Sequence, residues 1–241
     1  MGVTSSAAAW LPVAALLMTG CVPAPPPELV EETRTVPLGK AEMVNVRIEM
    51  KGGELEVSGS GGAQELLHAF FSYHGEGWKP EVSYSETGFR GNLLVRQSSV
   101  RYTIGPHGGF RNEWRLKLSN TVPMDLEVKL GAGRSELDLA GLHLRSLEVH
   151  MGAGELDLNL GGQWRKSFEA RIRGGVGKAT VRLPKDVGVE ARARGGIGAI
   201  QTSGLKRDGR LWVNDALGSS PVTLRIDVEG GIGEIRLETE S

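Results

Sequence analysis

A single cysteine, Cys21, stands in this chain of 241 residues, so no internal disulfide can staple the fold. Aromatic residues are only 5% of the total, which argues against a core built round large rings and suits a narrow one of Leu, Val and Ile. The formal net charge is -1, with 28 basic against 29 acidic residues. No global field therefore points to nucleic acid or to a strongly acidic ligand. Long hydrophobic runs are missing too. The apolar run from Ala7 to Met18 has 12 residues, broken only by Pro12, against the ~20 that a membrane-crossing helix needs. Glycine, by contrast, is abundant, with 35 residues, and its placement carries most of the information.

Six units recur, each ending its turn on a glycine: Gly53, Gly133, Gly154, Gly177, Gly198 and Gly233. Five residues earlier stand Ile48, Val128, Val149, Ile172, Ala193 and Val228, all apolar. At offsets −9, −7, −5, +2, +4 and +6 from the glycine, 30 of 36 positions are apolar; at the interleaved offsets only Ala199 is. Alternation of period two, repeated unit after unit, predicts strands with one wet and one dry face. A glycine bend joins the two arms because glycine reaches positive φ and allows close backbone approach. One unit alone buries little, so the units must stack. The expected fold is all-β, a β-solenoid of stacked glycine-turn strand pairs with an N-terminal β-rich insertion carrying one short helix. That helix is expected over Ala63–Phe71, where Leu66, Leu67, Phe70 and Phe71 have helical spacing. Strands are expected at Glu81–Ser85, Asn92–Gln97 and Trp114–Leu118, and a mobile loop over Val100–Arg111. Arg145 is an exception at an inward offset, expected at a unit edge. Spacings of 21, 23, 21 and 35 separate the last five glycines; the longest is read as an insertion, Leu205–Pro221, in a stack that follows chain order. The sixth unit would then form the end of the stack, its edge either blunted by Glu234, Arg236 and Glu238 or covered by a partner.

The apolar run has the length of a signal-peptide core. It leads into Leu17-Met18-Thr19-Gly20-Cys21, which resembles the bacterial lipobox; the resemblance implies cleavage before Cys21 and its diacylation. Met1-Gly2 with Ser6 also fits the shorter myristoylation pattern. Four segments are expected: a lipoprotein signal peptide (1–20), a Pro-rich tether (21–41), an N-terminal β domain (42–123) and the repeat domain (124–241). The partner implied first is the membrane, through a lipid on Cys21. The location implied is the cell envelope: the outer-membrane or periplasmic side in a Gram-negative cell, the outer face of the plasma membrane in a Gram-positive one.

Five stretches carry a family likeness: Gly52-Gly53-Glu54-Leu55, Trp78-Lys79-Pro80-Glu81-Val82, Trp114-Arg115-Leu116-Lys117-Leu118, Val122-Pro123, and the Gly-Ala-Gly units. Together they resemble the bacterial "toast rack" envelope proteins, an N-terminal domain of unknown function followed by a stacked β-repeat. The repeats are also similar to cell-wall-active antibiotic response proteins and adhesin-like domains. The likeness implies an envelope β-solenoid with an adhesive or stress-related role, and supplies no catalytic residue.

Motifs of chemistry are weak. Gly174-Gly175-Val176-Gly177-Lys178-Ala179-Thr180 lacks the spacing of a phosphate loop and aligns with the other turns. The histidines His68, His74, His107, His143 and His150 show no metal-ligand spacing; His107, in the loop, is the one worth testing for a ligand. No Gly-x-Ser-x-Gly elbow is present. No catalytic residue, cofactor or metal is expected. Arg171, Arg173, Arg192 and Arg194 form the candidate site. Units four and five are read as adjacent coils, so these should make a compact basic square ~4.8 Å on its inter-strand edge, suited to an anionic envelope polymer or lipid head group unless Glu169 and Glu190 neutralise it. Trp164 and Trp212 are candidates for stacking on a sugar, or for capping the core. The function expected is a lipid-anchored, non-catalytic binding, adhesion or scaffold protein, with another envelope protein as the further candidate partner. Alternatives are an envelope-stress sensor component and a polysaccharide-active solenoid enzyme.

Overall fold

The computed structural model describes residues 28–60, 64–98 and 111–240. The expected signal peptide, Cys21, the proline run, His107 and the loop up to residue 110 lie outside the described residues. Among the described residues thirteen strands are formed: β1 (Leu29–Pro37), β2 (Met43–Ser60), β3 (Glu65–His74), β4 (Pro80–Thr87), β5 (Arg90–Gln97), β6 (Asn112–Ser119), β7 (Met124–Asp138), β8 (Leu144–Asn159), β9 (Phe168–Leu183), β10 (Gly188–Ser203), β11 (Lys206–Asp208), β12 (Leu211–Val213) and β13 (Thr223–Thr239). The protein is all-β. Among the described residues the helical content is one 3-10 turn, Glu76–Trp78.

The six long strands pair in parallel and in register, with equivalent positions side by side: Val46 with Leu126, Leu147 and Ala170, then Ile226 and Ala191. Each bends at its repeat glycine, where φ lies between 125° and 143°, a region closed to residues with a Cβ. A second constraint acts at the same atoms. A Cβ on Gly177 would lie 1.8 Å from the carbonyl oxygen of Gly154, and the equivalent overlap recurs along the column. Inward positions are buried as the alternation requires: Ile48 0%, Val149 2%, Ile172 1% and Val228 1% exposed. Burying each such side chain is worth roughly 1.5–3 kcal/mol, which is why a single unit cannot stand alone while a stack can. Arg145 is accounted for by a register shift: Met124 pairs with Leu144 and Asp125 with Ser146, so Arg145 is an extra bulged residue.

Beyond β2 the next rung is split between two strands. β5 pairs with its first arm and β6 with its second. The sheet continues from β6 to β3 and β1. The helix expected at Ala63–Phe71 does not form: from Glu65 onward the segment is strand β3. Leu67, Ala69, Phe71 and Tyr73 alternate inward onto β6, and Phe71 meets Trp114 edge-on at 5.4 Å. The doublets Leu66-Leu67 and Phe70-Phe71 imitate helical spacing because Leu66 is buried as well, on a strand that is covered on more than one side. The tether also ends sooner than expected. Residues 29–37 form β1, bonded along their length to β3.

The strand order is the main departure. It runs β7, β8, β9, β13, β10, so β13 lies between β9 and β10. Glu234, Arg236 and Glu238 therefore sit on an interior strand, and the end rung is β10. There the hairpin of β11 and β12 pairs with Glu190 and Ala191. Asn214 holds this hairpin in place. Its Oδ1 accepts from the Val189 N–H at 3.0 Å, and its Nδ2 donates to the carbonyls of Pro184 at 3.1 Å and Val187 at 2.7 Å.

Candidate functional site

The outward face of the stack is a ladder of ionic groups one strand spacing apart. Arg47 Nε lies 2.6 Å from Glu127, Lys129 lies 2.6 Å from Glu127 and 3.6 Å from Glu49, and His150 lies 2.9 Å from Glu148. Glu127 titrates below the ordinary carboxylate value, chiefly through its bond from Lys129 and also through Arg47. On the other arm, Arg182 holds Asp157 at 2.5 and 2.9 Å and Glu238 at 3.4 Å. Asp157 in turn raises the Arg182 pKa.

The basic square does not form, because β13 supplies the missing charges. Asp227 stands in register between Arg171 and Arg192, and Glu229 between Arg173 and Arg194. Arg173 lies 3.2 Å from Glu229; Arg194 lies 3.3 Å from Asp227 and also contacts Glu229; Arg171 bonds Glu169 at 3.1 Å. In the next row Arg225 lies 3.2 Å from Glu190. Signs alternate across the three strands, as like charges directly opposite would repel.

Arg192 behaves differently. The six long strands carry ten arginines: Arg47, Arg134, Arg145, Arg171, Arg173, Arg182, Arg192, Arg194, Arg225 and Arg236. Among the described residues, every one but Arg192 has a carboxylate within 4.0 Å. Arg192, Arg194, Arg207 and Arg210 line one open hollow of about 350 Å³ between the edge of β10 and the hairpin. Arg207 and Arg210 lie outside the repeat frame, which is why the offset pattern passed over them.

Trp164 is 8% exposed, donates from Nε1 to the Leu160 carbonyl at 2.8 Å and packs on Phe168 at 4.7 Å. Trp212 is half-buried, with the Arg207 guanidinium 5.4 Å above its ring. His68 contacts Thr35 and Glu65, and His74 accepts the Arg111 N–H at 2.8 Å. Among the described residues no group of His, Cys, Asp and Glu is placed to hold a metal, and no helix is long and apolar enough to cross a membrane.

Residues 26–182 match the family model of the N-terminal domain of toast_rack, DUF2154. A crystal structure from Clostridium sporogenes ATCC 15579, of a protein provisionally named for cell adhesion, is 30% identical with a TM-score of 0.82. The alignment covers 88% of this chain and 100% of that one. A provisionally named adhesin from Bacteroides fragilis NCTC 9343 is 11% identical, with a TM-score of 0.31 over 87% of this chain and 97% of its own. A protein from Parabacteroides distasonis ATCC 8503, provisionally named lipid binding, is 10% identical with a TM-score of 0.29 over 88% and 97%. These last two are too loosely superposed to carry an argument. No curated protein matches the chain.

Proposed function

The chain belongs to the toast-rack family, and from that premise we propose that it is a non-catalytic binding protein of the cell envelope, adhesive in character and anchored by a lipid on Cys21. The observation that carries this reading is the likeness to the Clostridium sporogenes protein, which spans the whole of that chain. Binding to this protein then works by presentation. Parallel rungs in register make a β-solenoid, a stiff body with flat charged faces. Nine strands from β1 to β10 extend it roughly 40 Å along the stack. The anchor would leave from the β1 end, since β1 starts at Leu29. Val22 to Glu28, rich in proline, adds about 3.1 Å per residue as an extended tether. The β10 end with its hairpin would thus face away from the membrane. A non-catalytic role is supported by the ladder itself, whose carboxylates are mostly held in ion pairs.

Two measurements test the proposal. Acyl labelling and membrane fractionation of wild type and Cys21→Ala should show a labelled, membrane-bound protein and an unlabelled, released one. Label persisting in the variant would overturn the anchor. Beads coated with the protein should sediment with isolated cell envelopes and not with envelopes stripped of surface polymers and proteins. Equal sedimentation with both, or with neither, would overturn the adhesive role.

A further inference from the structure

We infer that the hollow at the free end of the stack, bordered by Arg192, Arg207 and Arg210, is a binding site for the oxyanion groups, phosphate or carboxylate, of an anionic chain polymer. It deepens the binding role proposed above and rests on it for biological context, but the chemistry stands on the site. Along the stack each rung neutralises its neighbour. Asp227 and Glu229 of β13 answer the arginines of β9 on one side and those of β10 on the other. β10 is the last long strand, and past Ala191 it hydrogen-bonds to no strand on its outer side among the described residues. The acidic rung that the pattern calls for next to Arg192 is therefore missing.

In its place stands more positive charge. Arg207 and Arg210 of the hairpin face the same space as Arg192 and Arg194. The charge of Arg194 is spent on Asp227 and Glu229. Among the described residues Arg192, Arg207 and Arg210 have no carboxylate partner. Arg207 is nonetheless held in position, with its guanidinium over Trp212 and Nε donating to the Gly209 carbonyl at 3.3 Å. Three like charges converging on about 350 Å³ cost free energy unless an anion sits among them. Guanidinium forks match the oxygens of phosphate and carboxylate, and the volume falls in the range of small-ligand sites. An acidic peptide adding as a new strand fits less well. Arg207 and Arg210 stand across the hollow from Arg192 and Arg194, so a strand adding to β10 there would have to pass between them.

The test uses the full chain purified in detergent, titrated with inorganic tripolyphosphate, poly(glycerol phosphate), polygalacturonate, an Asp/Glu-rich peptide and phosphatidylglycerol vesicles, each at two salt concentrations. Wild type is expected to bind at least one of the soluble polymers, more weakly at high salt. Arg192→Gln and Arg210→Gln should each weaken that binding about tenfold with an unchanged urea midpoint. Arg173→Gln, whose arginine belongs to the neutralised ladder, should change it less than about twofold. Tripolyphosphate reports whether phosphate itself suffices. Preference for the peptide, binding to vesicles alone, no binding to any probe, or equal loss in the Arg173→Gln control would each overturn the assignment. Failure here leaves the anchoring and envelope-sedimentation results untouched, so the two readings are separable.

Discussion

Substituting Gly177 by alanine should damage the fold through two independent costs, and two other glycines separate them. At Gly177 φ is 138°, and holding an alanine there costs about 1–3 kcal/mol. The added methyl would also lie 1.8 Å from the Gly154 carbonyl oxygen and 2.8 Å from its carbon. No rotamer relieves a clash with backbone, so β8 and β9 must part at the bend, at about 1–3 kcal/mol for forced overpacking. Gly141 has positive φ with nothing within 4 Å of its would-be Cβ, so Gly141→Ala should cost only about 1–2 kcal/mol. Gly175 lacks the positive φ, but its Cβ would lie 2.3 Å from the Gly152 carbonyl oxygen. Gly175→Ala therefore isolates the steric cost. Urea unfolding, followed both by fluorescence of the buried Trp114 and Trp164 and by circular dichroism, gives the three values. Coincidence of the two probes is needed, because stacked repeats can unfold in parts. The expected result is a Gly177→Ala loss of about 4 kcal/mol, close to the sum of the other two. A loss within about 0.5 kcal/mol of Gly141→Ala would refute the claim that backbone proximity, in addition to φ, makes the column glycine.

Leu158→Ala, at a fully buried inward position, should cost about 2–5 kcal/mol by the same unfolding assay, whereas Ile197→Ser, 71% exposed at the bend, should shift stability by less than about 0.5 kcal/mol. Asn214→Ala removes the acceptor for the Val189 N–H and the donor to Val187; a loss of about 1–3 kcal/mol, with amide-exchange protection falling first at residues 188–191 and 211–213, is expected. Glu127 titrates below 4.5, its ordinary value, through Lys129 first and Arg47 after burial's opposing effect. A lowered carboxylate pKa contributes stability that is fully present above the unfolded-state value and is lost as pH falls through the folded one. Glu127→Gln should therefore flatten the acid limb of a stability-against-pH curve below about pH 4.5, and an unaltered limb would show that the pair contributes nothing.

Period-two alternation and the glycine register were legible because both are local. Each repeat glycine announces a bend, and Val149 or Ile172 announces its inward neighbours within a few residues. The all-β class, the strands β4, β5 and β6 and the positive-φ bends follow from those signals. Strand order is a long-range property, and the 35-residue spacing before Gly233 left it open. Two signals did point to it. The inward positions of β10 include Ala191, Ala193 and Thr202, a poor complement for an interior rung, whereas β13 offers Leu224, Ile226, Val228, Ile235 and Leu237. Asp227 and Glu229 also carry the sign opposite to Arg171, Arg173, Arg192 and Arg194, as a strand between those two pairs must. The candidate site moved for the same reason. Arg173 and Arg194 were neutralised by a strand that chain order had placed elsewhere, and Arg207 and Arg210 joined Arg192 through a hairpin that no repeat offset describes. β3 was misread because two apolar doublets four residues apart fit a helix as well as a strand covered on both sides.

The interleaving of β13 has a temporal consequence. Residues 188–203 are synthesised before residues 223–239, so this array cannot zip up one rung at a time in the direction of synthesis. During that interval the neighbour that chain order would offer β10 is β9, and docking them directly would bring Arg171 and Arg173 against Arg192 and Arg194. Mutual repulsion of the guanidinium groups disfavours that premature closure and keeps a slot open for the acidic strand that arrives later. A fragment ending at residue 222 would then be no shortened rack but one with a vacant slat, its two arginine-bearing neighbours held apart.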